Sequence, residues 1–525
     1  MNLDVFLHNL HFNIDEVISI DKEVDWDQAP LSYKLYRGLP VVPLSLEVPL
    51  TFEDRVEPVK PNLRSISHFL WYLFGHTQFC QSVNELDSSE DTANLMQSYR
   101  RFVPSGGALY PNELYMYLKL EDLPAGVYHY DVAHHHLVLL REGNFDSYIA
   151  KGLDNRCDVS ACFGTVFVST IFGKNFFKYN HFSYRLQGLD AGVLIGQLLE
   201  VSKQFGYESG VYYQFLDRAI NHLLGFSEQE ESVYAVIPLT VEPTNWFTNR
   251  SDIDKIVSAT DLCEELPALQ DHEYEGAKRI KEYPLLTKMN EASMLEFTNV
   301  FRKVEAIENR GGDGEAVVLP YVEPLSYDLA SVCQERYSPG MDFILGKVSQ
   351  SQLATLLQEA AAYFSYRNDL ERAYEKNESR VSLYGCLYNV EGIPDGAYSY
   401  DNSSHTLRQV ELGDYRLQLQ KGLSSYNVNL LQVPLCLHVI GDKEHLKKEF
   451  GYRGYRIQQM EAGILVQRLL LRAAALGMGG HPLLGFDSTT CDAIYKIDSK
   501  GKTSLIQIPI GPYRNRPWLR GSLRS

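Results

Sequence analysis

The chain has 525 residues, 45% of them hydrophobic and 12% aromatic, enough for about two to four ordinary domains with full cores and too apolar for a disordered chain. With 67 acidic against 49 basic residues the formal charge is −18, so neither nucleic acid nor an anionic membrane surface is expected as the main partner. The eight cysteines (80, 157, 162, 263, 333, 386, 436 and 491) form no Cys-x-x-Cys pair and no ligand spacing with paired histidines, so reduced, mostly buried thiols are expected and no metal site. Met1-Asn-Leu-Asp-Val-Phe-Leu-His has no basic region, and no run of about 18 apolar residues occurs anywhere, so no signal peptide, no membrane partner and a cytoplasmic location are expected.

Along the chain, glycine, serine and proline first crowd together at Arg101-Phe-Val-Pro104-Ser105-Gly106-Gly107-Ala108-Leu109-Tyr110-Pro111. Asn112 to Leu120 is aromatic and aliphatic enough for a buried strand, which places the Ser-Gly-Gly turn close to the core with amides able to approach a flat or anionic ligand. Gly126-Val-Tyr-His-Tyr-Asp131 leads to a hairpin turn at His134-His135-His136; a metal role is not expected there, because successive strand residues point to opposite faces. Strands are predicted at 165–171 and 233–237, and a long buried helix over 188–205, apolar nearly all round and closed by Gly206. Residues 241–285 are polar and acidic and read as a linker, partly helical, and 309–315 as a surface turn. A helix over 350–360, strands at 432–440 and 504–508, and a second long helix over 459–476 ending at Gly477 complete the set.

The second half repeats the first. Tyr184-Arg185 through Asp190-Ala191-Gly192 lies over Tyr455-Arg456 through Glu461-Ala462-Gly463 without a gap at an offset of 271, which also pairs Gly206 with Gly477, Phe215 with Phe486 and Pro238 with Pro509. Gly126–Asp131 pairs with Gly396–Asp401 at an offset of 270. The predicted fold is α+β, with one domain at 1–240, a linker at 241–285 and a second copy at 286–525.

The copies differ in what they carry. Opposite the Pro104–Pro111 loop the second has Tyr374 to Val381 with no glycine; opposite Lys178-Tyr179 it has Glu449-Phe450. Only the second copy has Arg336-Tyr-Ser338-Pro-Gly340, Gly479-Gly480 and Arg514-Asn-Arg516. Guanidinium forks beside a hydroxyl suit a phosphate monoester, and a desolvated lysine beside a tyrosine suits proton removal. Asp190 and Glu461, at one helix position in both copies, are expected to be structural, and Ser105 lacks the Gly-x-Ser-x-Gly elbow of a hydrolase.

Pro104–Pro111, Gly126–Asp131 and Lys178-Tyr179 together resemble the SagB-type branch of the flavin-dependent nitroreductase superfamily, the azoline dehydrogenases of modified-peptide biosynthesis; the likeness covers most of 95–240 and recurs in altered form in the second half. It implies two nitroreductase-like domains in tandem, forming an intramolecular pseudo-dimer, alone or in a higher assembly. It implies one FMN per chain, its phosphate held by Arg336, Ser338, Arg514 and Arg516, its ring against Gly479 and Gly480, capped by Arg101, Pro104, Ser105, Gly106, Gly107, Leu109 and Tyr110. Lys178 and Tyr179 are then the catalytic pair oxidising thiazolines or oxazolines of a ribosomally made peptide, with a cyclodehydratase complex as partner. The family's Arg-Arg-Ser-x-Arg reads Glu335-Arg336-Tyr-Ser338-Pro here, and its Gly-x-Arg-Gly after the Lys-Tyr pair reads Asn180-His-Phe-Ser183. The alternatives are a flavin oxidoreductase of small quinones or nitro compounds, and a non-catalytic scaffold subunit of a cyclodehydratase complex.

Overall fold

The computed structural model describes residues 1–18, 24, 29–52, 61–84, 94–242, 244, 246–247, 256–269, 274–275, 283–304, 314–362, 366–371, 380–515 and 520–521; the expectations for Arg516, for 309–313 and for 374–379 lie outside them. Each half is built on a seven-stranded sheet, and the two sheets have one strand order. In the first it is Val41–Pro43, His136–Glu142, Leu123–Asp131, Asn112–Leu120, Gly164–Ile171, Glu231–Thr240 and Glu208–Ser209. In the second it is Ala316–Val318, Thr406–Leu412, Gly396–Asp401, Ser382–Leu387, Leu435–Asp442, Lys502–Gly511 and Gly479–Gly480. The central strands are covered on both faces, which is why Leu114 to Leu118 reads as a continuous apolar run and Leu505 to Ile510 is buried throughout, its one polar residue, Gln507, meeting His438 at 3.1 Å.

The repeat extends to individual hydrogen bonds. Tyr128 Oη donates to Pro124 O at 2.6 Å, as Tyr398 does to Pro394 O at 2.7 Å; Tyr130 Oη meets His135 Nδ1 at 2.8 Å, as Tyr400 meets His405 at 2.7 Å. His135 and His405 both turn at positive φ, 53° and 50°, so the middle of the histidine triplet is a turn residue held by a tyrosine.

The long helices Ser183–Phe205 and Arg453–Ala475 lie side by side at the centre and join the halves. Their approach needs glycine: a Cβ on Gly192 would fall 2.0 Å from Met460 O, and one on Gly463 2.2 Å from Leu189 O. Across the contact the equivalent Tyr184 and Tyr455 stack at 5.6 Å, and Gln467 donates to Gln197 at 2.7 Å. Buried ionic exchange adds to it: Arg453 and Arg456 of the second half both reach Asp217 of the first, at 2.7 Å each. The halves therefore share one core and are an obligate pair.

Two segments cross the expected boundaries. The N-terminal helix Leu3–Phe12 packs against both halves, with His11 Nε2 3.0 Å from Tyr455 Oη and Leu10 O accepting from Arg185 Nη1 at 2.9 Å. In the expected linker, the helix Ala259–Glu264 is docked on the first half through the buried Leu262, and Lys151 meets the following Glu265 at 2.7 Å. Among the described helices none is long and apolar enough to cross a membrane.

Candidate functional site

The Ser-Gly-Gly loop lies between the strand Asn94–Arg101 and the strand Asn112–Leu120. Its shape follows from Ser105, whose Oγ accepts Tyr110 N–H at 3.0 Å while donating to Asp190 Oδ2 at 2.6 Å; Gly106 N–H also points at that carboxylate, 3.3 Å from Oδ2. Gly107 takes φ 65°, where a side chain is strained, and a Cβ there would lie 2.6 Å from Tyr179 Oη and 3.3 Å from Lys178 Nζ. Lys178 and Tyr179 are thus delivered onto the loop from another element, the last turn of the short helix Gly173–Tyr179, with Lys178 Nζ 5.1 Å from the Tyr179 ring centre.

That turn ends on a strained residue. Asn180 adopts φ 48° and ψ −136°, and the equivalent position in the second half is Gly451 at φ 58° and ψ −146°. A non-glycine residue in this region costs of order 1–3 kcal/mol, and such strain collects at functional sites. It terminates the helix at the catalytic candidates and fixes their direction.

The charges of the pair are set by burial. Lys178 is lowered from the ordinary lysine value by desolvation, which enlarges its neutral fraction near pH 7. Tyr179 is pushed up to about 12, first by burial and then by the Asp190 charge, so it stays a hydrogen-bond donor. Asp190 is pushed up to about 7 by burial, against the opposing bonds from Ser105 and Gly106.

The second half supplies the other wall. Arg336 follows the helix Leu329–Glu335 and donates from Nε to Phe102 O of the first half at 2.8 Å and from Nη1 to Ser338 Oγ at 3.4 Å. Its Nη2 has no hydrogen-bond partner among the described residues. Tyr110 of the loop lies within electrostatic reach of it. Arg336 and Ser338 are thus joined to the chain two residues before Pro104, and a half-buried arginine, its charge disfavoured by burial, with an open donor beside a hydroxyl fits an anionic group such as a phosphate.

Other expected residues are placed differently. Arg101 is 1% exposed, with its guanidinium against the rings of Phe74 and Tyr110 and Nη2 donating to Ser32 O at 2.6 Å; it props Tyr110 from within the core. Gly479 and Gly480 are small for the protein's own reasons: a Cβ would meet Pro339 Cγ at 2.3 Å or Leu470 Cδ2 at 2.5 Å. Leu109 is buried behind the loop, Pro104 is half-buried, and Arg514 is exposed, with its backbone N–H on Asp342 O at 2.9 Å. Asp190 and Phe102 O are the participants missed from the sequence; the identical helix position of Asp190 and Glu461 suggested a shared structural task, but their partners differ.

At the equivalent place in the second half, Arg380 stands where the first has Tyr110, and its Nε donates to both oxygens of Glu461 at 2.9 Å, with Tyr366 Oη at 3.2 Å. That carboxylate is locked in a buried ion pair, whereas Asp190 holds a loop.

No protein-family model matches the chain. A protein of Methanocaldococcus jannaschii named as a nitroreductase is 25% identical over 132 residues, which are 25% of this chain and 64% of that protein. The trifolitoxin-processing protein TfxB of Rhizobium leguminosarum bv. trifolii is 28% identical over 169 residues, 29% of this chain and 44% of that protein. The chain thus spans less than two thirds of the length of either relative. Over 98% of its length it superposes on the whole of a solved structure from Anabaena variabilis, itself named as a nitroreductase, with a TM-score of 0.73 at 19% identity. With the shared strand order and the paired central helices, this makes the chain a tandem of two nitroreductase-like domains that form an intramolecular pseudo-dimer.

Proposed function

We propose that the chain is an FMN-dependent dehydrogenase that oxidises thiazoline or oxazoline rings of a ribosomally made peptide to the aromatic azoles. The observation that carries this reading is the convergence of Lys178 and Tyr179 on Gly107, with Arg336 of the other half anchored to Phe102 O at the start of the same loop. The residues fit one FMN per chain: Arg336 and Ser338 would take its phosphate, and the Ser105–Gly107 loop would bound its ring system. Bound FMN would supply the acceptor for the hydride that leaves one ring carbon of the azoline.

The neighbouring carbon must lose a proton, and this is the work of the protein. Lys178, lowered by burial, takes that proton on Nζ; Tyr179, protonated across the neutral range, donates a hydrogen bond that orients the substrate or the lysine. Similarity to a protein named for trifolitoxin processing supports a role in maturing a product of that kind; a cyclodehydratase complex, implied by the family resemblance, is the partner that would deliver the azoline substrate.

The test is to purify the chain, release and count its flavin, and follow an azoline-bearing peptide by mass. One FMN per chain and the loss of two hydrogens per ring are expected. Colourless protein that cannot be reconstituted supports the scaffold reading; bound flavin that turns over quinones or nitroaromatics but no azoline supports the small-molecule oxidoreductase.

A further inference from the structure

Two buried carboxylates, Asp190 and Asp492, have no cation within ion-pair distance among the described residues; Asp492 is closed off by Thr503 and Ser504, whereas Asp190 lies under the Ser105–Gly107 loop. Glu113 is met by Lys174 and His129, Glu231 by Lys34, Glu200 by Arg468 and Arg472, Asp217 by Arg453 and Arg456, and Glu461 by Arg380. Asp190 has no cationic partner among the described residues, and its partners are the Ser105 hydroxyl and the Gly106 amide. Keeping a buried carboxylate without a counter-ion costs stability, and the second half removed that cost at the same helix position with Arg380. A feature that works against stability beside the proposed catalytic pair points to function.

We propose that Asp190 is a positioning residue whose carboxylate charge latches the Ser105–Gly107 loop against Lys178 and Tyr179, and that protonation of this carboxylate loosens the loop. The inference deepens the dehydrogenase reading and rests on it for its catalytic meaning. The ionised carboxylate accepts two charge-assisted hydrogen bonds, about twice as strong as neutral ones. Once protonated it must itself donate, and Ser105 Oγ, which already accepts Tyr110 N–H, then faces a weaker acceptor. The change reaches Gly107 through one peptide bond and therefore the seat of Tyr179 Oη.

Burial places this transition near pH 7, within the working range. The titratable group facing it from the short helix is Tyr179, which stays protonated there; the loop contributes Ser105 and Gly106, and no charged group.

The test is hydrogen exchange of the Gly106 and Tyr110 amides in the full chain, corrected for intrinsic rates, between about pH 5.5 and 8.5. Protection is expected to fall about tenfold as pH drops through about 7. Asp190→Asn should abolish the step. Ser105→Ala, which removes a bond to the charged form, should move the midpoint up by about one unit. Lys178→Met should leave the step in place, which separates Asp190 from the lysine. Flat protection in the unmodified chain, a step surviving in Asp190→Asn, or an unmoved midpoint in Ser105→Ala overturns the proposal; the last covers the case in which Asp190→Asn does not fold. The readout needs no azoline, so loss of azole formation with the step intact refutes the dehydrogenase reading alone.

Discussion

The two halves share a sheet order and a central helix, yet equivalent positions are spent differently. After the short helix, the first half carries Lys178-Tyr179 and forces Asn180 into a glycine conformation; the second carries Glu449-Phe450 and places a true glycine, Gly451, in the same backbone state. Under the loop the first half leaves Asp190 without a counter-ion; the second pairs Glu461 with Arg380. In these places the first half accepts strain or buried charge and the second relaxes it. The comparison supports the proposal of a single site served by the loop and Lys-Tyr pair of the first half, with the second half relaxed at the same positions.

The largest effect is chemical. Lys178→Ala should lower azoline oxidation per bound flavin by ~10²–10⁴-fold, with Tyr179→Phe costing less. Glu449→Ala should leave turnover per flavin nearly intact, and equal damage from it would end the single-site reading.

Next is Asp217→Ala, expected to cost about 3–5 kcal/mol in denaturant unfolding, because it strands two buried arginines and the Leu295 amide it accepts. The aligned Ser488→Ala should cost under about 1 kcal/mol. Similar losses would mean that the Arg453–Asp217–Arg456 contact does not join the halves.

Asp190→Asn probes pH. The folded value of about 7 lies above the ordinary 3.8, so the folded state disfavours the ionised form. That penalty is absent below the unfolded value, grows as pH rises and is complete above about 7. Relative to Asp190→Asn, the unmodified chain should thus lose up to about 4 kcal/mol of stability between about pH 4 and 8, and a parallel pair of stability curves would refute this.

Arg336→Ala should weaken FMN by roughly 1.5–3 kcal/mol, read by flavin titration, with unchanged retention showing that another group holds the phosphate. The smallest effect is a gain: Asn180→Gly should stabilise by about 1 kcal/mol, and Gly451→Asn should cost a similar amount, since only backbone strain differs. No gain at Asn180 would show that its conformation is not strained.

Much of this was legible beforehand because it rests on local signals. The strand Asn112–Leu120 and the helix ends at Gly206 and Gly477 announce themselves through apolar runs and left-handed glycines at φ 69° and 72°. The duplication was visible because a fixed offset survives wherever side chains must fill the same core. The candidates Lys178, Tyr179, Ser105, Gly106 and Gly107 came from a resemblance, and their convergence rests on the structure.

What the sequence by itself determined is therefore periodic or repeated: element types, two copies, and which half lacks the glycine loop. Only the tertiary structure decided the direction of each charge. Arg101 and Arg336 look alike in the sequence, yet one lies against Phe74 and Tyr110 inside the core of the first half and the other bridges the halves through Phe102 O. Asp190 and Glu461 occupy the same position, and their difference depends on a residue 85 positions away in one case and 81 in the other. Whether a buried charge is paired depends on which distant side chain reaches it, and no local pattern of residues records that distance.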